Sequence, residues 1–108
     1  APSQLSIQKS CERQGEILSL VMTEMNLQNS GEATDEDLAK VEQEATRQWM
    51  LASNEAPPEM AQLVENLARA SEGADFRTDT DHSVALGEVI DFCQESGFPV
   101  VVVSDAGA

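Results

Sequence analysis

Between Ser3 and Leu27 the residues Ile7, Cys11, Gln14, Leu18, Val21 and Met25 recur at alternating steps of four and three, and Ile17 and Met22 widen the stripe toward its end. Such spacing predicts a helix with one buried face. Gly15 in its middle costs about 1 kcal/mol of helix propensity relative to Ala, so packing against other helices has to hold the segment together. Asn29, Ser30 and Gly31 break the pattern. Thr34, with Asp37 three residues on, reads as an N-cap with an approximate capping box, and Asp35, Glu36 and Asp37 lie where the helix dipole favours negative charge. A second helix follows, its stripe made by Leu38, Val41, Ala45, Gln48, Trp49 and Ala52. Pro57 and Pro58 stop it and start a third, because proline is tolerated in a first turn. Met60, Leu63, Val64, Leu67, Ala68 and Ser71 form the cleanest amphipathic stripe of the chain, and Gly73 stands where a C-cap glycine belongs.

The next stretch, Phe76 to Thr80, reads as extended. Asp81 or Ser83 can then cap a fourth helix through Leu86, Val89, Ile90 and Cys93, which Gly97, Phe98 and Pro99 terminate. The run Val100 to Val103 is a strand by β-branching, apolar on both sides and so expected to be covered on both. Its partner is either the segment Phe76 to Thr80 or another chain. The expected fold is therefore α+β, mainly α: four helices and a short C-terminal strand in a single domain over residues 1–108. No repeat, low-complexity tract or long linker divides it.

Composition narrows the chemistry. An apolar fraction of 41% is enough for a core, whereas the aromatics are only Trp49, Phe76, Phe92 and Phe98, too few for a base-stacking or sugar-binding platform. Cys11 and Cys93 both fall on apolar helix positions, and they read as buried thiols of a reducing compartment rather than as a long-range disulfide. The longest apolar runs are too short to cross a membrane, so a cytoplasmic location is expected. A start at Ala1 fits removal of an initiator Met, with a processed precursor as the other reading.

The only imidazole stands in Asp79-Thr80-Asp81-His82-Ser83, where two carboxylates and two hydroxyls accompany it. The glycine and carboxylate positions of a calcium loop are missing, and a capped helix start explains the same residues without a metal. The glycines stand singly, which removes a phosphate-cradling loop, and one His with two distant Cys lacks any zinc spacing. With neither thiol beside a base, the expectation is a protein that is not an enzyme and needs no cofactor or metal.

Charge points to a partner. Twenty acidic residues face six basic ones, for a formal net charge of -14. Glu12, Glu16 and Glu24 nearly cancel Lys9 and Arg13, and beyond Gly31 the remaining acids face only Lys40, Arg47, Arg69 and Arg77. A surface of that sign repels nucleic acid and anionic membranes and steers basic partners. The leading expectation is a stoichiometric inhibitor or regulator, a nucleic-acid mimic that occupies the basic nucleic-acid-binding surface of another protein. Asp35, Glu36, Asp37, Glu42 and Glu44 would form a first row of contacts and Glu55, Glu59 and Glu65 a second. In composition, though in no motif, the chain resembles the small acidic phage-encoded inhibitors of host nucleases and CRISPR complexes. That resemblance implies action in a host cytoplasm, and the chain itself is expected to be a monomer or a homodimer. The alternative is a homo-oligomeric structural or adaptor protein whose interface uses Trp49, Val101, Val103 and the first helix. A metal-dependent enzyme centred on His82, Asp79 and Asp81 is the third reading.

Overall fold

The computed structural model describes residues 5–103 and contains four helices: α1 (Ile7–Asn29), α2 (Asp35–Glu55), α3 (Pro58–Ser71) and α4 (Thr80–Glu95). Each starts for a local reason. Ser6 caps α1 by accepting from the Lys9 N–H. Thr34 and Asp37 close a reciprocal capping box on α2, at 3.0 and 3.1 Å. Pro58 opens α3, and Asp79, rather than Asp81 or Ser83, caps α4 through the His82 N–H. Gly31, Gly73 and Gly97 follow the ends of α1, α3 and α4 with φ of +82°, +68° and +89°, the left-handed region where a side chain would be strained.

The helices run up and down. The Leu5 N–H reaches the Glu55 carbonyl at 2.8 Å, which sets the start of α1 beside the end of α2. At the opposite end Arg77, in the connection before α4, meets Gln28 at the end of α1 and Asp35 at the start of α2. Neighbours α1–α2, α2–α3 and α3–α4 pack along their lengths, whereas α1 and α4 touch little. Ile17, Leu38, Trp49, Met60, Val64, Leu67 and Val89 fill the interior with almost no exposed surface.

The strand expectation is corrected. Among the described residues there is no strand, and the fold is all-helical rather than α+β. Phe76 to Thr80 does not extend, because the Thr78 and Asp79 N–H groups both bond back to the Asp75 carbonyl, forming a turn that feeds α4. Phe76 is buried against Trp49 and His82, and its own N–H donates to Glu42. Residues 100–103 therefore have no pairing partner among the described residues and lie along α1, with Val101, Val102 and Val103 exposed rather than covered. There the Val101 carbonyl packs on Gly15, where a Cβ would overlap it, so the glycine that weakens α1 is the one that lets the chain cross it.

The thiol expectation is corrected as well. Cys11 and Cys93 form a disulfide, their Cα atoms 5.8 Å apart, and no described cysteine is free. The up-and-down topology sets both near the same end of the bundle, which sequence spacing of 82 residues did not reveal.

Candidate functional site

Two polar pairs cross the interior. The Trp49 Nε1–H donates to Gln14 Oε1 at 2.9 Å, tying α2 to α1. Ser71 Oγ lies 2.8 Å from His82 Nδ1, tying α3 to α4. This second pair has the composition of a nucleophile and its base, but the Leu67 carbonyl, 2.7 Å from Ser71 Oγ, competes for the single hydroxyl proton. When Ser71 gives that proton to Leu67, its oxygen accepts from Nδ1–H and the imidazole does not activate the hydroxyl. Both residues are buried, and burial lowers the His82 pKa against the opposing pull of Asp79. His82 also stacks on Phe76, with ring centroids 4.0 Å apart. Asp79 is occupied as a cap and Asp81 is exposed in the first turn of α4. Among the described residues no group of His, Cys, Asp and Glu is arranged to hold a metal ion.

Glu42 belongs to the interior, not to an acidic face. Only 8% of it is exposed, and one carboxylate oxygen accepts the Phe76 N–H at 2.9 Å. Burial raises its pKa, partly offset by that hydrogen bond. It lines an open cleft of about 450 Å³ between α2 and the connection to α4, with Asp35, Thr46, Asp75 and Arg77 on the walls.

The other carboxylates of the anticipated rows remain outside but do not form one surface. Glu36 pairs with Lys40 at 4.0 Å, Glu44 with Arg47 at 2.8 Å and Glu65 with Arg69 at 3.5 Å. Asp35 pairs with Arg77 at 3.5 Å and also accepts from Gln28. Asp37 is held as a cap, and the Thr34 backbone N–H, followed by its hydroxyl, lowers the Asp37 pKa. Glu55 ends α2 and Glu59 opens α3, so these two sit at the far end of the bundle from Asp35, Glu36 and Asp37, about 30 Å along α2. Trp49 is wholly buried and contributes nothing to a surface, whereas Val101 and Val103 are 68% and 60% exposed.

A row that the sequence reading passed over stands on α4. His82, Ala85, Val89 and Cys93 are its buried side, and Asp81, Glu88, Asp91 and Glu95 are exposed on the other. At 100° per residue those four fall within an arc of about 80°, spread over about 21 Å of helix. No Lys or Arg occurs in α4, and among the described residues none of the four makes an ion pair. All six cations of the chain pair elsewhere, Lys9 with Glu12 and Arg13 with Glu16 on α1 included. The signal was present in the sequence as acids at steps of seven, three and four with no Lys or Arg between them. Their shared direction became decisive only once the opposite side was known to be buried. The chain matches no known protein family, and neither a curated protein nor a solved structure matches it significantly.

Proposed function

We propose that this chain is a non-enzymatic, acidic protein-binding module, a stoichiometric inhibitor or regulator that lays α4 into the basic surface where another protein holds nucleic acid. The carrying observation is the un-neutralised row Asp81, Glu88, Asp91 and Glu95. Helix stability accounts for Asp81 in the first turn but not for the rest of the row: Glu95 lies in the last turn, where the dipole disfavours a negative charge by about 0.3–1 kcal/mol, and no basic residue there compensates. A duplex presents one charge per roughly 1.7 Å of axis, so four carboxylates on a rigid helix imitate a stretch of one strand's phosphates rather than the whole field. The rest of the net charge of -14 supplies long-range steering.

The Cys11–Cys93 bond bears on where this happens. A buried disulfide joining the first and last helices favours an oxidising compartment, and it ranks a cationic nucleic-acid-binding protein met there above a cytoplasmic, CRISPR-type target. No helix among the described residues is long and apolar enough to cross a membrane.

The test is capture from the oxidising-compartment fraction of source cells, on immobilised oxidised protein, at about 0.05 and 0.5 M salt. The expected catch is a basic protein retained only at low salt, whose oligonucleotide binding the free chain inhibits competitively. The triple variant Glu88→Lys, Asp91→Lys, Glu95→Lys should lose about 100-fold in affinity with an unchanged melting temperature. Asp81 is left in place because it stabilises the start of α4. Capture that resists salt, or that survives the triple change, removes this reading.

A further inference from the structure

Glu42 places a carboxylate where the fold needs only an acceptor. One oxygen, Oε2, takes the buried Phe76 N–H at 2.9 Å, a task that a neutral side-chain amide performs with no charge to desolvate. The other oxygen, Oε1, makes no hydrogen bond or ion pair among the described residues, although Glu42 is only 8% exposed. It is not sealed off, and it belongs to the wall of the cleft of about 450 Å³ between α2 and the connection to α4. The cation on that wall, Arg77, is engaged by Asp75, Gln28 and Asp35, so it neutralises those two acids and leaves Glu42 without a partner. Glu72, exposed at the end of α3 and lining the same cleft, pairs with no cation either among the described residues. Thr46 stands one turn after Glu42 on α2. Its hydroxyl proton is shared by the Glu42 and Ser71 carbonyls, at 2.9 and 3.3 Å, which leaves the oxygen as a further acceptor. Ala39 and Ala74 add methyl surface to the walls.

We propose that this cleft binds a primary alkylammonium group, with the ammonium on Glu42 Oε1 and Thr46 Oγ1 and the methylene chain against Ala39 and Ala74. An ammonium is a compact charge with three donors and no acceptor, which suits one free carboxylate oxygen beside a hydroxyl oxygen. A guanidinium fork wants both oxygens of a carboxylate, and Phe76 already holds one of them. An anion would face Glu42 and Glu72, and among the described residues no group of His, Cys, Asp and Glu is arranged to hold a metal ion. The volume lies within the range of about 300–1,000 Å³ in which small-ligand sites fall. The same chemistry belongs to a lysine side chain of another protein and to a free alkylamine. The site stands on its own geometry and does not depend on the acidic row of α4.

The test titrates butylammonium into the oxidised full chain by NMR, at a constant ionic strength of about 0.15 M. Saturable shifts are expected at the Thr46 and Ala74 amides and the Glu42 carboxyl, ahead of the exposed Glu88 and Glu95 on α4. Glu42→Gln keeps an acceptor for Phe76, so the Phe76 amide should stay in place while butylammonium binds about tenfold more weakly. If that amide moves, Thr46→Val, which removes the second acceptor and keeps the shape, replaces it as the variant with the same loss expected. Tetramethylammonium carries the same charge without an N–H and should also bind about tenfold more weakly. Equal binding by the variant or by tetramethylammonium, equal shifts at Glu88 and Glu95, or no saturable shift at all overturns the proposal, since only a general attraction of cations to an acidic chain is then left. A lysine blocked at both ends that binds as tightly as butylammonium identifies a partner's side chain as the occupant. Tighter binding of 1,5-diaminopentane than of either identifies a free amine, and both results uphold the site. The triple change Glu88→Lys, Asp91→Lys, Glu95→Lys should leave butylammonium binding within about twofold, so loss of the α4 reading and loss of this site are read separately.

Discussion

Where the α1–α2 and α3–α4 connections meet, the bundle is closed by groups that titrate: Arg77 forks onto Asp75 and reaches Gln28 and Asp35, Glu42 holds the Phe76 N–H, and His82 sits on Ser71. At the other end it is closed by a covalent bond, Cys11–Cys93, together with the Leu5 N–H on the Glu55 carbonyl. The difference follows from what each end has to join. The first end gathers elements with apolar and hydrogen-bonding surface in common, and Trp49, Phe76 and His82 fill the space between them. The second end includes α1 and α4, which share little packing, so a covalent link supplies what side chains do not. One end therefore answers to pH and the other to redox state.

Breaking the covalent end should have the largest effect. Closing a loop of 82 residues is worth about 4 kcal/mol through the unfolded chain, and Cys11→Ser with Cys93→Ser should lose about that much in urea unfolding. Reductant should act on the unaltered chain in the same direction and leave the double variant unmoved. A loss below about 1 kcal/mol would mean that packing alone fastens α1.

At the titrating end, Glu42→Ala strands the buried Phe76 N–H and should cost about 1–3 kcal/mol. Glu42→Gln keeps an acceptor without a charge to desolvate. Because the folded-state pKa of Glu42 is raised above 4.5, the native state binds the proton more tightly there, and stability falls as pH rises from 4.5 through the folded value. The Gln variant should gain on the parent over that interval in thermal melts at successive pH; a constant difference would show that the carboxyl is as well solvated folded as unfolded.

The smallest effect belongs to His82, whose pKa is lowered. Below 6.5 the unfolded chain takes up a proton that the folded chain refuses, so stability is complete above 6.5 and declines as pH falls toward the folded value. His82→Asn should flatten this decline, although its stability at neutral pH will be lower for loss of the stack on Phe76. If the slopes of parent and variant between pH 6.5 and the folded value coincide, the imidazole is not the group responsible. Neither the Glu42 nor the His82 changes should alter the stability difference between the oxidised and reduced chain, which is how the two ends are told apart.

The sequence by itself determined the four helices, their caps at Thr34 with Asp37, the glycines after α1, α3 and α4, and most of the core, because within a helix the backbone satisfies its own hydrogen bonds and a periodic apolar stripe states which side is buried. Fates that depend on a group from elsewhere were decided only by the tertiary structure. β-branching marks residues 100–103 as extended, but a strand exists only if a second edge arrives, and Phe76 had already spent its N–H on Glu42. Cys11 and Cys93 read as apolar thiols until antiparallel helices brought them together. Glu42 and Asp81 are both acids on predicted helices; a neighbouring loop buried the first, whereas the second was left in solvent on an outward side that no cation reaches. Local order is encoded within about one helical turn of sequence, and display, pairing and burial are encoded in contacts between turns far apart in the chain.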